Sequence, residues 1–72
     1  MSDHIEKGAI KIIEIIGVSQ ENFEDTVQQG VMKASESVKN ISGLEVIKHS
    51  AKVQNGSICE FHANLKVAFA VN

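Results

Sequence analysis

Two histidines, His49 and His62, are the side chains of this 72-residue chain best suited to holding a metal. Between them lies Asn55-Gly56, the dipeptide that most strongly favours a two-residue type I′ hairpin turn. With those two residues as the loop, Val53 faces Ile58, Ser50 faces Phe61, Val46 faces Leu65 and Leu44 faces Val67. His49 then stands directly opposite His62. Cross-strand Cβ atoms lie about 4.5–5.5 Å apart. Both imidazoles could therefore ligate one transition metal ion, with Glu60 diagonal to His49. Two ligands seldom make a site. The plainer reading is two solvated surface histidines, with further ligands available only from another copy of the chain. A one-residue slip in register would break the pair.

Other reactive side chains carry less. Ser19 precedes Glu24 and Asp25, a hydroxyl near carboxylates, but that segment has no histidine. An N-cap role, in which the hydroxyl accepts a backbone N–H of the first helical turn, accounts for Ser19. Cys59 falls on the apolar alternation of its strand and reads as a small hydrophobe. There is no Gly-rich phosphate loop and no nucleophile–base–acid set. These features point away from an enzyme.

The elements that must position these residues follow from the hydrophobic period. Ile10-Lys-Ile-Ile-Glu-Ile-Ile16 is rich in β-branched residues and ends at Gly17, as a strand does. Both of its faces carry Ile, so both should be covered. Glu21, Glu24 and Asp25 favour the start of a helix. Phe23, Val27, Val31, Ala34, Val38 and Ile41 then form one helical stripe, and Gly43 is the expected stop. From Leu44 the period becomes two. Cys59, Phe61, Ala63, Leu65, Val67, Phe69 and Val71 share one face of the last strand; Glu60, His62, Asn64 and Lys66 share the other. The spacing predicts an α+β fold of β-α-β-β order: a three-stranded antiparallel sheet partly wrapped around one helix. Residues 1–9 are expected to be a flexible arm and residues 10–72 a single domain.

Composition narrows the function classes. The net charge is −2, with seven Lys and no Arg. A nucleic-acid partner is therefore not expected, because phosphate backbones select a basic patch. No apolar run reaches the roughly 18–20 residues of a membrane span. One Cys excludes an internal disulfide, and a free thiol behind a polar N-terminus points to a cytoplasmic protein. A core in a chain this short rarely supplies more than roughly 3–5 kcal/mol without a staple. Self-association is the remaining route to stability. Its expected surface is a second apolar sheet face of Ile13, Ile15, Ile47, Val53 and Ala68, with a hairpin tip that overhangs the protomer.

Over roughly residues 10–71 the chain resembles the dodecin family. The matching pieces are Lys11-Ile-Ile-Glu-Ile-Ile-Gly17 with Ser19, Phe23-Glu-Asp25, Lys33-Ala-Ser35, Leu44-Glu-Val46, Asn55-Gly56 and Leu65-Lys-Val-Ala-Phe69. The resemblance implies a hollow homododecamer of tetrahedral symmetry. It also implies storage or sequestration of a flavin (FMN, riboflavin or FAD) as small-molecule ligand, in stacked pairs at protomer interfaces. In flavin-binding members a Trp just after the helix stacks on the ring and a Gln on the last strand holds its edge. Gly43 and His62 stand at those two positions here, and the chain has no Trp or Tyr. By that resemblance Gly43, Glu45, His62 and Asn64 are the candidate cofactor-binding residues, and flavin affinity should be weakened. Losing an aromatic contact costs on the order of 1 kcal/mol. The same four residues could equally form a polar surface with nothing bound, with Glu45 paired to Lys66. A shell holding a metal ion, another nucleotide-like ligand or nothing is the alternative. A ligand held through an acceptor on His62 would also bind more weakly as pH falls, since protonated histidine offers only donors.

Overall fold

The computed structural model describes residues 8–71. Strand β1 (Ala9–Ser19) leads into helix α1 (Phe23–Ser35), followed by strands β2 (Ile41–Gln54) and β3 (Ser57–Val71). The sheet is antiparallel with order β1-β3-β2, so β3 is the central strand. This is the expected β-α-β-β architecture. The arm expected over residues 1–9 lies, for residues 1–7, outside the described residues.

Central placement explains the clean alternation of β3. Ala63, Leu65 and Val67 are fully buried beneath the helix, and Ile13, Ile15, Val27 and Ile41 pack around them. Ile13 and Ile15 thus belong to the core, not to the second face. They pair with Val67 and Leu65, which puts them on the helix side of the pleat. The uncovered face of β1 instead carries Ile10, Ile12, Ile16 and Val18, each 44–57 % exposed. At the hairpin tip Val53 and Ile58, paired as expected, are also exposed.

The helix differs from the expectation at both ends. Its N-cap is Asn22, whose side-chain Oδ1 accepts the Asp25 N–H at 2.7 Å. Ser19 sits at the end of β1, buried, and does a different job. Its hydroxyl donates to Asp25 Oδ2 at 2.7 Å and accepts the Glu21 N–H at 2.9 Å, tying the strand to the first helical turn. At the other end the N–H groups of Glu36, Ser37 and Val38 bond back to the Lys33 and Ala34 carbonyls. Asn40 then takes a left-handed φ of 64°, which Asn tolerates better than most residues. The chain turns there into β2. Val38 and Ile41 are outside the helix, and Gly43 lies within β2 rather than at a helix stop.

The buried side of α1 is Thr26, Gly30 and Ala34, a run of small residues at four-residue spacing. They allow the helix to lie directly on β1. A Cβ on Gly17 would stand 1.9 Å from the Thr26 carbonyl oxygen, and one on Gly30 would stand 2.6 Å from Leu65 Cδ1.

The hairpin turn is as expected. Asn55 and Gly56 have φ of 52° and 79°, the two positive angles a type I′ turn requires. Beyond it the register is not uniform. Val53 pairs with Ile58, but Lys52 pairs with Glu60, leaving Cys59 as an extra residue in β3. A second irregularity between Val46 and Lys48 leaves Ile47 over in β2 and restores the original register. Between these bulges Ser50, not His49, faces His62, and Phe61 faces Ala51. The His49–His62 pair therefore does not form, and among the described residues the shared-metal reading considered for it, beside the plainer one of two surface histidines, loses its geometry.

Gly17→Ala should lower stability by about 1–3 kcal/mol or more, because the clash is with backbone and no rotamer relieves it. Urea unfolding at fixed protomer concentration measures it. An unchanged midpoint would mean that the helix does not approach β1 this closely.

Candidate functional site

Pairing of β3 with both neighbours arranges its outward residues into rows across the sheet face opposite α1. Ala68 lies between Ile12 and Gly43, and Lys66 between Glu14 and Glu45. Asn64 lies between Ile16 and Lys48, and His62 between Val18 and Ser50. Lys52 stands opposite Glu60 at the hairpin end. Gly43, Glu45, His62 and Asn64 thus share one face, as expected. They are not one cluster. The Gly43 row, at Ala68, lies six positions along β3 from the His62 row, roughly 20 Å at strand spacing. His62 and Asn64 are immediate neighbours; Glu45 stands one row beyond Asn64.

The best-defined polar contact of this face joins His62 to Glu60. Their Nε2 and Oε1 atoms are 2.7 Å apart, and both side chains are about 30 % exposed. Alternation along the strand explains it, since residues i and i+2 share a face. Pairing across strands was the expectation for His62, and its nearest partner instead lies along its own strand. Glu45 does stand opposite Lys66. Among the described residues, however, the ion pairs within 4 Å are Lys33–Glu36 and His62–Glu60. Glu14 joins the Lys66 row through the β1–β3 pairing, which periodicity within one segment does not reveal.

His49 lies on the other side of the sheet. Its ring centroid is 4.8 Å from that of Phe23, tilted by 48°, and Phe23 meets Phe61 edge-on at 4.9 Å. His49 lines a cleft of about 530 Å³ with Asn22, Phe23, Glu24, Val27 and Val46. A second cleft, of about 480 Å³, lies between α1 and β1 around Ile13, Ile15, Gly30 and Lys33. Phe23, Phe61 and Phe69 are the only aromatic rings of the chain besides histidine. Phe61 and Phe69 alternate with the outward residues, and Phe23 lies on α1, so none stands on the outer face. A planar ligand on that face would find polar contacts at His62 and Asn64 and nothing to stack on. At Gly43 an added Cβ meets no atom within 4 Å, so the position is open.

A family profile described as Dodecin matches residues 9–72. The chain belongs to the dodecin family. Solved dodecins share its fold closely. That of Streptomyces coelicolor superposes with a TM-score of 0.91 at 19 % identity, over 94 % of this chain and 97 % of the other. That of Streptomyces davaonensis gives 0.85 at 23 % identity, over 89 % and 94 %. A calcium dodecin from Mycobacterium tuberculosis, described as a calcium-chelating immunodominant antigen with a novel calcium-binding site, gives 0.79 at 30 % identity, over 90 % and 93 %. A search of curated proteins gives no match. No helix among the described residues is long and apolar enough to cross a membrane.

Because His49 packs on Phe23, His49→Ala should cost about 1 kcal/mol, the scale of an aromatic pair beyond its area. Lys48→Ala, one residue away and facing the opposite side, should cost less. Paired urea titrations check this; equal losses would remove the ring contact from the energetics.

Proposed function

We propose that this dodecin is a cytoplasmic homododecameric binding protein that stores or sequesters a flavin-type small molecule, with affinity weakened by the missing stacking ring. Family membership supports the ligand class. The observation that carries the weakened affinity is the outer sheet face: hydrogen-bonding groups at His62 and Asn64, and open space at Gly43 where a ring would stack. A bound flavin would supply its own absorbance and redox chemistry. This chain's residues would hold its polar edge, and holding rather than turnover is the role.

Self-assembly is supported independently. Four β-branched side chains on the outer face of β1, and Val53 and Ile58 at the hairpin tip, are exposed in the single chain. Exposed apolar side chains grouped on either side of Glu14 and again at the hairpin tip are candidate interaction surface. Burying it against copies of the chain stabilises a domain too short to build a large core. The rival reading is a shell that holds a cation. It has the calcium-chelating Mycobacterium tuberculosis relative on its side. Among the described residues no three His, Cys, Asp or Glu side chains converge, so such a cation would draw on further ligands, from backbone carbonyls, water or other copies.

Light scattering should find a closed assembly, twelve copies, at micromolar concentration; a folded monomer would overturn this reading. Quenching of flavin fluorescence should report weak binding by the unmodified chain. Gly43→Trp should tighten it by roughly the 1–3 kcal/mol of a base–aromatic stack. Tight binding without the substitution, or no gain with it, would count against the proposal. Calcium binding without flavin binding would favour the rival.

A further inference from the structure

We infer that Glu60 is a positioning residue: it fixes the tautomer of His62 so that the free ring nitrogen, Nδ1, is offered as a hydrogen-bond acceptor. This selects ligands whose planar ring edge carries an N–H. The inference rests on the proposed function for the ligand, but not for the tautomer. A carboxylate only accepts hydrogen bonds, so the 2.7 Å contact between Glu60 Oε1 and His62 Nε2 requires the proton on Nε2. A neutral imidazole carries one N–H, which leaves Nδ1 with a lone pair. Among the described residues no hydrogen bond occupies Nδ1, and no buried side-chain nitrogen or oxygen lacks a partner. Nδ1 is therefore open to solvent or a ligand.

Among the described residues Glu60 is the only carboxylate in contact with this ring. Val18 and Ser50 flank His62 on β1 and β2, Lys48 stands opposite Asn64, and Lys52 opposite Glu60. Lys52 is the cation that could compete for Glu60, yet the contact within 4 Å is the one to His62. A carboxylate holding one imidazole nitrogen so that the other faces a ligand is the arrangement that orients histidines at metal and catalytic sites. Here it would turn an ambivalent side chain into a defined acceptor. A ring edge that presents N–H, as an imide or lactam does, pairs with it; one blocked by a methyl group does not.

The full-length assembly, labelled with nitrogen-15 in histidine and kept on the alkaline side of neutrality, tests the tautomer directly. His62→Gln identifies the His62 signals. Wild type should show Nε2 protonated and Nδ1 unprotonated. Glu60→Gln, whose amide can donate or accept, should show mixed tautomers, as should Glu60→Val. A wild-type spectrum with Nδ1 protonated, or one that Glu60→Gln and Glu60→Val both leave unchanged, overturns the inference. Titration with lumiflavin and its N3-methyl derivative tests the selectivity. Wild type should prefer the N–H form by about tenfold, the scale of one hydrogen bond, and Glu60→Gln should lose most of that preference. Equal affinities in wild type overturn the selectivity. If neither compound binds while the nitrogen signature is as expected, the flavin reading fails and the positioning role of Glu60 stands.

Discussion

One helix covers one face of a sheet that is much longer than the helix. Thirteen residues of α1 span about 20 Å. The fifteen residues of β3 span about 50 Å, in keeping with a longest molecular dimension of 51 Å. The shortfall fixes where everything else goes. A core forms only where helix and sheet overlap, around Ala63, Leu65 and Val67. To use that overlap fully the helix must sit low, and Gly17, Gly30 and Thr26 let its backbone meet the strand. The remaining half of the hairpin and the whole outer sheet face are left for other molecules.

The composition of that outer face is set by two single-residue bulges. A bulge inserts one residue and flips the facing of every side chain beyond it. The bulge at Cys59 and the one at Ile47 cancel, so the segment between them is inverted; a third irregularity, between Ile41 and Gly43, turns Ile41 to the helix side opposite Phe69. Without them His49 would join His62, and Lys48 and Lys52 would face the helix. With them His49 packs on Phe23, and Lys48, Ser50 and Lys52 line the face around His62 and Asn64. The bulges thus exchange a two-histidine metal pair for a polar surface with cations at its rim.

Most of the fold was legible because its signals are local. The β-branched run of β1, the Asn55-Gly56 turn and the period of β3 each depend on neighbouring residues, and the family resemblance summed them. What was not legible depends on context. Val38 and Ile41 continue the helical period, yet the left-handed Asn40 ends any helix before β2. Ser19 and Asn22 are both good caps, and only the length of β1 decides between them. A bulge shifts the alternation of its strand by one residue, and here the extra residues are the apolar Ile47 and Cys59, which fit either phase of the pattern. The Glu60–His62 contact has a sequence signal, a shared face at i and i+2, but the cross-strand alternatives on that face are equally compatible with the alternation.

The roughly 20 Å between the Gly43 and His62 rows bears on how binding and assembly are related. A fused-ring ligand is far shorter than that span. If one ring is stacked over position 43 and held at its edge by residue 62, the two contacts come from different copies of the chain. A site divided in this way exists only in the assembled shell. Ligand binding then favours assembly by mass action, and assembly favours binding to the same extent. A protomer that has lost its stacking residue loses that reciprocal gain as well. In the assembly proposed above, association would then rest on exposed apolar side chains without help from a ligand: Ile10, Ile12, Ile16 and Val18 on β1, with Val53 and Ile58 at the hairpin tip.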